Sequence, residues 1–222
     1  MNYKDKWITI VYMKNFFKHL RVVLKHKNLV LIHSYKLGIL HLGLVHDLSK
    51  FSRKEFLPSV KYFSGNYSPI VNERRNEGLY SSIFTHHTNH NRHHYEYWIS
   101  EFKGDFILTK IPFKYSLEYV ADMIAASKTY LKDKYKRDEP LKFFLARYDH
   151  YLMHSMNKEF IKTLLTIYSQ FGFKNLKKKQ TKIIYDELSK KYPFNEYIHC
   201  YSLNNSFKKE DITPEFIEKT LK

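Results

Sequence analysis

Residues 11–26, VYMKNFFKHLRVVLKH, set Met13, Phe16, Phe17, Leu20 and Val23/Leu24 on one stripe at helical period. A stripe of that length must be covered by another apolar surface, which points to helices packed on helices. The next run, KNLVLIHSYKLGIL (27–40), also has a helical pattern and is apolar on most sides, so a central position is expected for it. Glycine and proline number only six each, which disfavours a turn-rich β-sandwich.

The rest of the chain continues in the same way. FSRKEF (51–56) reads as a helix start, with Ser52 as N-cap and Glu55 closing a capping box. Residues 70–90 read as helical with Gly78 as a weak point. Asn91 reads as a break, and NRHHYEYWI as a short helix after it. EFKGDF is a turn around Gly104–Asp105. SLEYVADMIAASKTYL is a strong helix capped by Ser116, followed by helices in PLKFFLARYDHYL, NKEFIKTLLTIYSQFG (cap Asn157, stop Gly172) and KKKQTKIIYDELSKK. ITPEFIEKTL closes the sequence, with Thr213 as cap and Pro214 at the first helical position. The expected fold class is all-α, a compact helical bundle, with room for a small edge hairpin.

A chain of 222 residues carries one sizeable core and at most an extension, and 43% hydrophobic residues with 17% aromatics exclude a disordered chain. The expected division is a helical domain over 1–170 and a basic helical extension over 171–222 packed on it. The net charge is +16. It is spread over the whole sequence, which fits a solvated surface and an anionic partner: a phosphate-bearing small molecule first, nucleic acid second. Cys200 is the single cysteine and cannot form an internal disulfide. The first residues lack the layout of a signal peptide, and no apolar run is long enough to cross a bilayer, so a soluble, cytoplasmic protein without membrane contact is expected. Whether it forms a homo-oligomer stays open.

Two stretches carry chemistry. HDLSK (46–50) puts His46 beside Asp47, a nitrogen and an oxygen ligand able to reach one cation from a helix end. Such mixed sites suit Mn, Fe, Co, Ni or Zn. THHTNHNRHHYEYW (85–98) holds His86, His87, His90, His93 and His94. His86–His90 and His90–His94 are i,i+4 pairs that would chelate a metal on a continuous helix. No Glu follows the first histidine of either pair, so the zinc-protease arrangement is absent, as are a phosphate-binding glycine loop and a nucleophile elbow. Lys50 lies one turn beyond His46–Asp47. Glu118 precedes Asp122 by four residues on one helical face. His41 sits among Leu, Ile and Gly and reads as a core histidine.

HDLSK resembles the HD-x-x-K core of the HD-domain metal-dependent phosphohydrolases, an all-helical superfamily with ligands in the order His, His-Asp, Asp. HKNLV (26–30), HDLSKFSRKEF (46–56), HHTNHNRHHYEYW (86–98) and EYVADMIAA (118–126) are also similar to a family with HD-like features common in phage and bacterial genomes. The resemblance covers roughly residues 20–165. It implies a bundle of HD-domain type with one or two divalent transition-metal ions. On the matching positions His26, His46, Asp47 and Asp122 would hold one metal, and His87, His93 and His94 would hold a second ion or the phosphate. Beside these, Lys50, His87, His94 and Glu118 are the candidate catalytic groups, and Lys50, Asn91 and Arg92 the candidate phosphate contacts, with Lys50, Glu118 and Arg92 read from their charge and position. His33, seven residues after His26 on the same face, is the rival first ligand. His90 stands where the family pattern has a basic residue, which leaves open which histidines of the cluster bind. The implied activity is hydrolysis of a nucleotide or another small phosphate ester or diester through a metal-activated water. A basic helical nucleic-acid-binding protein with a structural metal or none, and a di-iron oxygenase of HD type, are the alternatives.

Overall fold

A computed structural model of the chain describes residues 3–65, 67–198, 215, 218 and 219. Among these, nine α-helices dominate: α1 (Tyr3–Lys36), α2 (Leu40–Val45), α3 (Arg53–Lys61), α4 (Pro69–Asn76), α5 (Ser82–His90), α6 (Phe113–Leu131), α7 (Glu139–Leu145), α8 (Ser155–Phe171) and α9 (Lys178–Lys191). Three short strands, β1 (Ile99–Phe102), β2 (Asp105–Leu108) and β3 (Glu196–Ile198), form one antiparallel sheet in the order β1-β2-β3. The all-α class therefore holds, with a small sheet added. The closing segment with Thr213 and Pro214 lies outside the described residues, as does His199.

The described residues group into two compact units. One comprises 3–25, 47–90, 215, 218 and 219; the other comprises 26–46 and 91–198. Residues 171–198, expected as an extension, lie in the second unit, where α9 packs on α8.

The two helical runs at the start of the chain are one helix, α1, and its buried stripe matches the apolar one only in part: Val23 is buried and Phe16 and Leu20 are half-buried, Phe16 packing on Phe56. His19, Val23, His26, Val30, His33 and, just past the helix end, Leu37 are buried, while Met13, Phe17 and Leu24 are exposed. The spacing alternates four and three residues, the period of a helix seam. Histidine serves on such a seam because each ring is largely apolar and its nitrogens can find polar partners inside. His33 shows this directly: its Nδ1 lies 3.2 Å from the Ala121 carbonyl.

In the second unit α6 supplies Leu117, Val120, Ala121, Ile124 and Ala125 to the core, and α8 supplies Phe160, Ile161, Leu164 and Leu165. Asn157 is not the cap of α8. It is fully buried, its Oδ1 accepting from Ile111 N at 2.8 Å and its Nδ2 donating to Ile111 O and Ser116 Oγ, both at 3.0 Å. His154 caps α8 instead, its Nδ1 accepting from Met156 N. Ser116 likewise lies inside α6, bonded to Ile111 O, because the helix already starts at Phe113 after Pro112. Gly172, with φ 65°, ends α8 as expected. EFKGDF is the hairpin between β1 and β2. Lys103 and Gly104, with φ 56° and 84°, form the kind of two-residue turn that matches strand twist.

The first unit is built on α3, α4 and α5, with Phe56, Val60, Ile83 and Val23 buried. Residues 70–90 break into two helices at Glu77–Ser81, where Gly78 and Leu79 take positive φ. Glu73 holds the restart: its carboxylate accepts from Ser81 Oγ, Ser82 Oγ and Ile83 N, occupying the N-terminal donors of α5. His19 packs in this unit against Phe56 and Phe63, ring centroids 5.1 and 5.4 Å away. Burial, reinforced by the charge of Lys50, lowers its pKa from 6.5 to about 4. The unfolded chain therefore takes up this proton at higher pH than the folded one, so stability is full above pH 6.5 and falls as pH drops toward 4. His19→Leu is expected to flatten that fall, read as urea midpoints between pH 7 and 4. An unchanged slope would exclude His19 as an acid-sensitive group.

Candidate metal centre

Within the second unit the buried face of α1 brings His26 against α6. His26 Nε2 lies 2.9 Å from Asp122 Oδ1. His33, the rival for that position, faces other groups: its Nδ1 lies 3.2 Å from the Ala121 carbonyl and its Nε2 3.4 Å from Lys128 Nζ.

His46 comes from the end of α2. It is the residue after Val45 and leaves the helix with φ −52° and ψ 129°, which carries its ring into the interior, where it is 1% exposed. Two features place it. Gly43 lets α2 press against α1: a Cβ there would meet Ser34 Cβ at 2.7 Å and Leu31 Cα at 3.0 Å. Lys27 reaches from α1 to the end of α2, its Nζ donating to Leu44 O at 2.9 Å and His46 O at 2.7 Å. A lysine on the last carbonyls of a helix satisfies its orphan acceptors and the negative end of its dipole.

Glu118 and Asp122, one turn apart on α6, hold the two nitrogens of His46. Its Nδ1 lies 2.9 Å from Glu118 Oε1 and its Nε2 lies 3.5 Å from Asp122 Oδ1. His93 joins them, with Nδ1 3.4 Å from the same Glu118 oxygen and its ring centroid 4.6 Å from that of His46. Burial pushes both carboxyl groups up. Hydrogen bonds from His46 and His93 outweigh this at Glu118 and hold it below the usual carboxylate range; those from His26 and His46 hold Asp122 well below it.

These donors suit a cation. When Nδ1–H is given to Glu118, a neutral His46 turns the lone pair of Nε2 toward Asp122. A lone pair and a carboxylate oxygen 3.5 Å apart need a proton or a metal ion between them. Two ligands of one tetrahedral ion at about 2.1 Å lie about 3.4 Å from each other, close to the separations of 2.9 and 3.5 Å around Asp122 Oδ1. Glu118 behind His46 is the carboxylate that commonly fixes the tautomer of a metal-binding histidine. His46, His93 and Glu118 also offer ligand atoms within 4.8 Å of one another.

The remaining expected residues of this unit lie close by in the chain. Asn91 is buried, its carbonyl accepting from His94 N. The segment after α5 is a turn and then a 3₁₀ turn, Tyr95–Trp98, so His90 and His94 do not share a helix. His94 stacks on His93 at 4.4 Å and lies 3.7 Å from Glu96. Arg92 is exposed, bonded to Tyr115 Oη at 3.3 Å and lying over the rings of Tyr97 and Tyr115. His41 is exposed and not part of the core, since the buried residues of α2 are Leu42 and Gly43.

In the first unit Asp47 takes the left-handed conformation, φ 51°, directly after His46. A non-glycine residue held there is strained and is usually fixed by its surroundings. Lys50 Nζ meets its Oδ2 at 2.6 Å, and His87 Nε2 lies 3.4 Å from its Oδ1. Glu55 does not close a capping box on Ser52, whose side chain makes no cap bond. Its carboxylate is taken by histidines instead, Oε1 by His87 Nδ1 at 2.8 Å and Oε2 by His86 Nδ1 at 3.2 Å. Burial raises the Glu55 carboxyl group, and the His87 bond more than offsets this. Asp47, His87 and Glu55 thus form a carboxylate–imidazole–carboxylate relay. Sequence reasoning missed Glu55 in this role; its only signal was a buried acid coming from a helix start with unplaced histidines elsewhere. The i,i+4 pair His86–His90 lies on α5 with rings stacked at 4.1 Å.

A family model described as a family of unknown function (DUF5662) matches residues 15–167. The chain belongs to this family. Every residue of the two clusters lies inside the matched span of the DUF5662 model. No curated protein and no solved structure matches the chain. Among the described residues of this DUF5662 chain, no helix is long and apolar enough to cross a membrane.

Proposed function

We propose that the protein is a metal-dependent phosphohydrolase acting on a nucleotide or another small phosphate ester, with a divalent transition metal held by His26, His46 and Asp122. The observation that carries this reading is the approach of two imidazole Nε2 atoms to one carboxylate oxygen, Asp122 Oδ1, at 2.9 and 3.5 Å, with Glu118 behind His46. The resemblance of HDLSK and EYVADMIAA to HD-type sequences supports it independently. An ion held there supplies Lewis acidity toward a phosphoryl oxygen and a water acidic enough to be deprotonated near neutral pH.

The chain's own residues do the rest. Glu118 accepts Nδ1–H of His46 and so keeps the other nitrogen available as a ligand. His93, beside the same carboxylate, is the group placed to hold a proton and give it to the leaving oxygen. The net charge of +16 favours anionic substrates before any contact forms.

The test is metal content and phosphate release measured on the same preparations. Wild-type protein is expected to purify with a transition metal and to release phosphate from at least one member of a panel of nucleotides, phosphomonoesters and phosphodiesters. His46→Ala is expected to lose both. A folded wild type that takes up no added Mn, Fe, Co, Ni or Zn and hydrolyses nothing sinks the proposal. Metal uptake with dioxygen consumption and no phosphate release would favour the oxygenase alternative.

A further inference from the structure

In the second unit positive charges gather around His33, Phe173 and the end of α1. Lys128, on α6, has its Nζ 3.4 Å from His33 Nε2. Because His33 Nδ1 faces the Ala121 carbonyl, the ring donates there and presents the lone pair of Nε2 to the ammonium. His33 therefore works as a post that holds one proton of Lys128, whose ammonium also lies 5.5 Å from the centre of the Tyr135 ring. Burial lowers the His33 pKa to about 4, so the ring stays neutral and able to accept at ordinary pH.

Lys36, in the last turn of α1, has its Nζ 5.2 Å from the centre of the Phe173 ring, and that ring lies 5.0 Å from His33. Lys178, at the start of α9, lies over Gly38: a Cβ on Gly38 would meet its Cδ at 3.1 Å. Lys36 and Lys128, from α1 and α6, thus flank the paired rings of His33 and Phe173. Partial burial first, and then the charge of Lys36, depress the Lys128 ammonium. Among the described residues no carboxylate lies within 4.0 Å of Lys36, Lys128 or Lys178. The lysines elsewhere on the same unit that approach acids do pair, as Lys142 does with Asp138 and Lys191 with Glu159.

We propose that Lys36 and Lys128, with His33 as the positioning residue for Lys128, form a binding site for a phosphate dianion. A phosphate dianion cancels the mutual repulsion of the ammonium groups and accepts their free protons, which a single carboxylate does with half the charge. The site lies on the same two helices as the metal cluster. His33 follows His26 by seven residues on α1 and Lys128 follows Asp122 by six on α6, each an offset of roughly 10 Å at helical rise. It shares no residue with that cluster, so it stands whether or not the metal reading does.

The test is calorimetric titration of the full chain with inorganic phosphate at constant ionic strength. Wild type is expected to bind saturably, and Lys36→Met/Lys128→Met to bind at least about tenfold more weakly, equivalent to about 1.4 kcal/mol. Lys54→Met, an exposed lysine of the first unit, is expected to leave affinity unchanged. His33→Phe should weaken phosphate binding, and His33→Gln, whose amide can both donate and accept, should restore it; purely structural damage would not be rescued in that way. The titrations use metal-free protein, so that phosphate cannot be drawn to an ion at His26, His46 and Asp122. Binding lost in His26→Ala but kept in the double lysine variant would place phosphate at the metal cluster and overturn the proposal, as would no saturable binding by wild type. Lysine-dependent retention of a single-stranded oligonucleotide without binding of free phosphate would overturn it in favour of a nucleic-acid surface.

Discussion

Asp122→Ala is expected to abolish metal binding, and Glu118→Gln to weaken it by about 10–100-fold, the usual effect of removing the partner of a ligand histidine. The difference follows from what each carboxylate touches. Asp122 Oδ1 is the atom approached by both His26 and His46, so its removal leaves two neutral imidazoles with nothing anionic between them. Glu118 touches only the far nitrogen of His46 and of His93, so its amide still accepts a hydrogen bond and keeps the ring in place at reduced basicity. Competition against a coloured chelator measures both affinities on one scale. Equal, small losses in the two variants would mean that Asp122 is not a ligand. A larger loss in Glu118→Gln than in Asp122→Ala would move the ion to the other side of His46, among His46, His93 and Glu118. Stability should fall as well. The pairing with His26 and His46 that keeps the Asp122 carboxyl well below its usual range is lost in Asp122→Ala, so the apo variant should be less stable than apo wild type by about 1–3 kcal/mol at neutral pH.

The parts of this arrangement that depend on local spacing are legible in the sequence. Glu118 and Asp122 fall on one face because they are four apart on a helix whose apolar pattern is unmistakable. His26 and His33 likewise share a face by heptad spacing. The geometry then separates those two histidines, and nothing local does so: His33 meets a backbone carbonyl and Lys128, while His26 meets a carboxylate. The α1 stripe was misread because histidine counts as polar in any hydrophobic pattern, although three of its rings are buried. Glu55 was misread because Ser52–Glu55 satisfies a capping box by spacing alone. In the fold the carboxylate of Glu55 is instead held by His87 at 2.8 Å and His86 at 3.2 Å. The hairpin at Lys103–Gly104 was visible only as a turn, because its strands are four residues each and carry little alternation. Lys27 and Gly43 carried no signal at all, since each matters only through a helix that lies near it after folding.

Gly43→Val is therefore the more searching test of how the site is built. Even one added carbon at residue 43 would sit 2.7 Å from Ser34 Cβ and 3.0 Å from the Leu31 Cα, and the latter is backbone that cannot swing aside. Valine adds two further methyl groups, so α2 must move away from α1, at an expected cost of about 3 kcal/mol. Gly43→Ala meets the same backbone with less bulk and regains some helix propensity, so its net cost should be about 1 kcal/mol. The movement is transmitted to the metal cluster by a short route. His46 follows Val45 at the end of α2, and its carbonyl is tied to α1 through Lys27 Nζ. Displacing α2 therefore draws the His46 ring away from Glu118 and Asp122 and should lower metal affinity as far as His46→Ala does. Urea denaturation measures the first effect and chelator competition the second. Lys27→Met separates them: it leaves the Gly43 contact intact and should weaken metal binding with a smaller loss of stability. A Gly43→Val protein that is destabilised yet binds metal as wild type does would show that His46 is placed by α6 alone, not by the packing of α2 on α1.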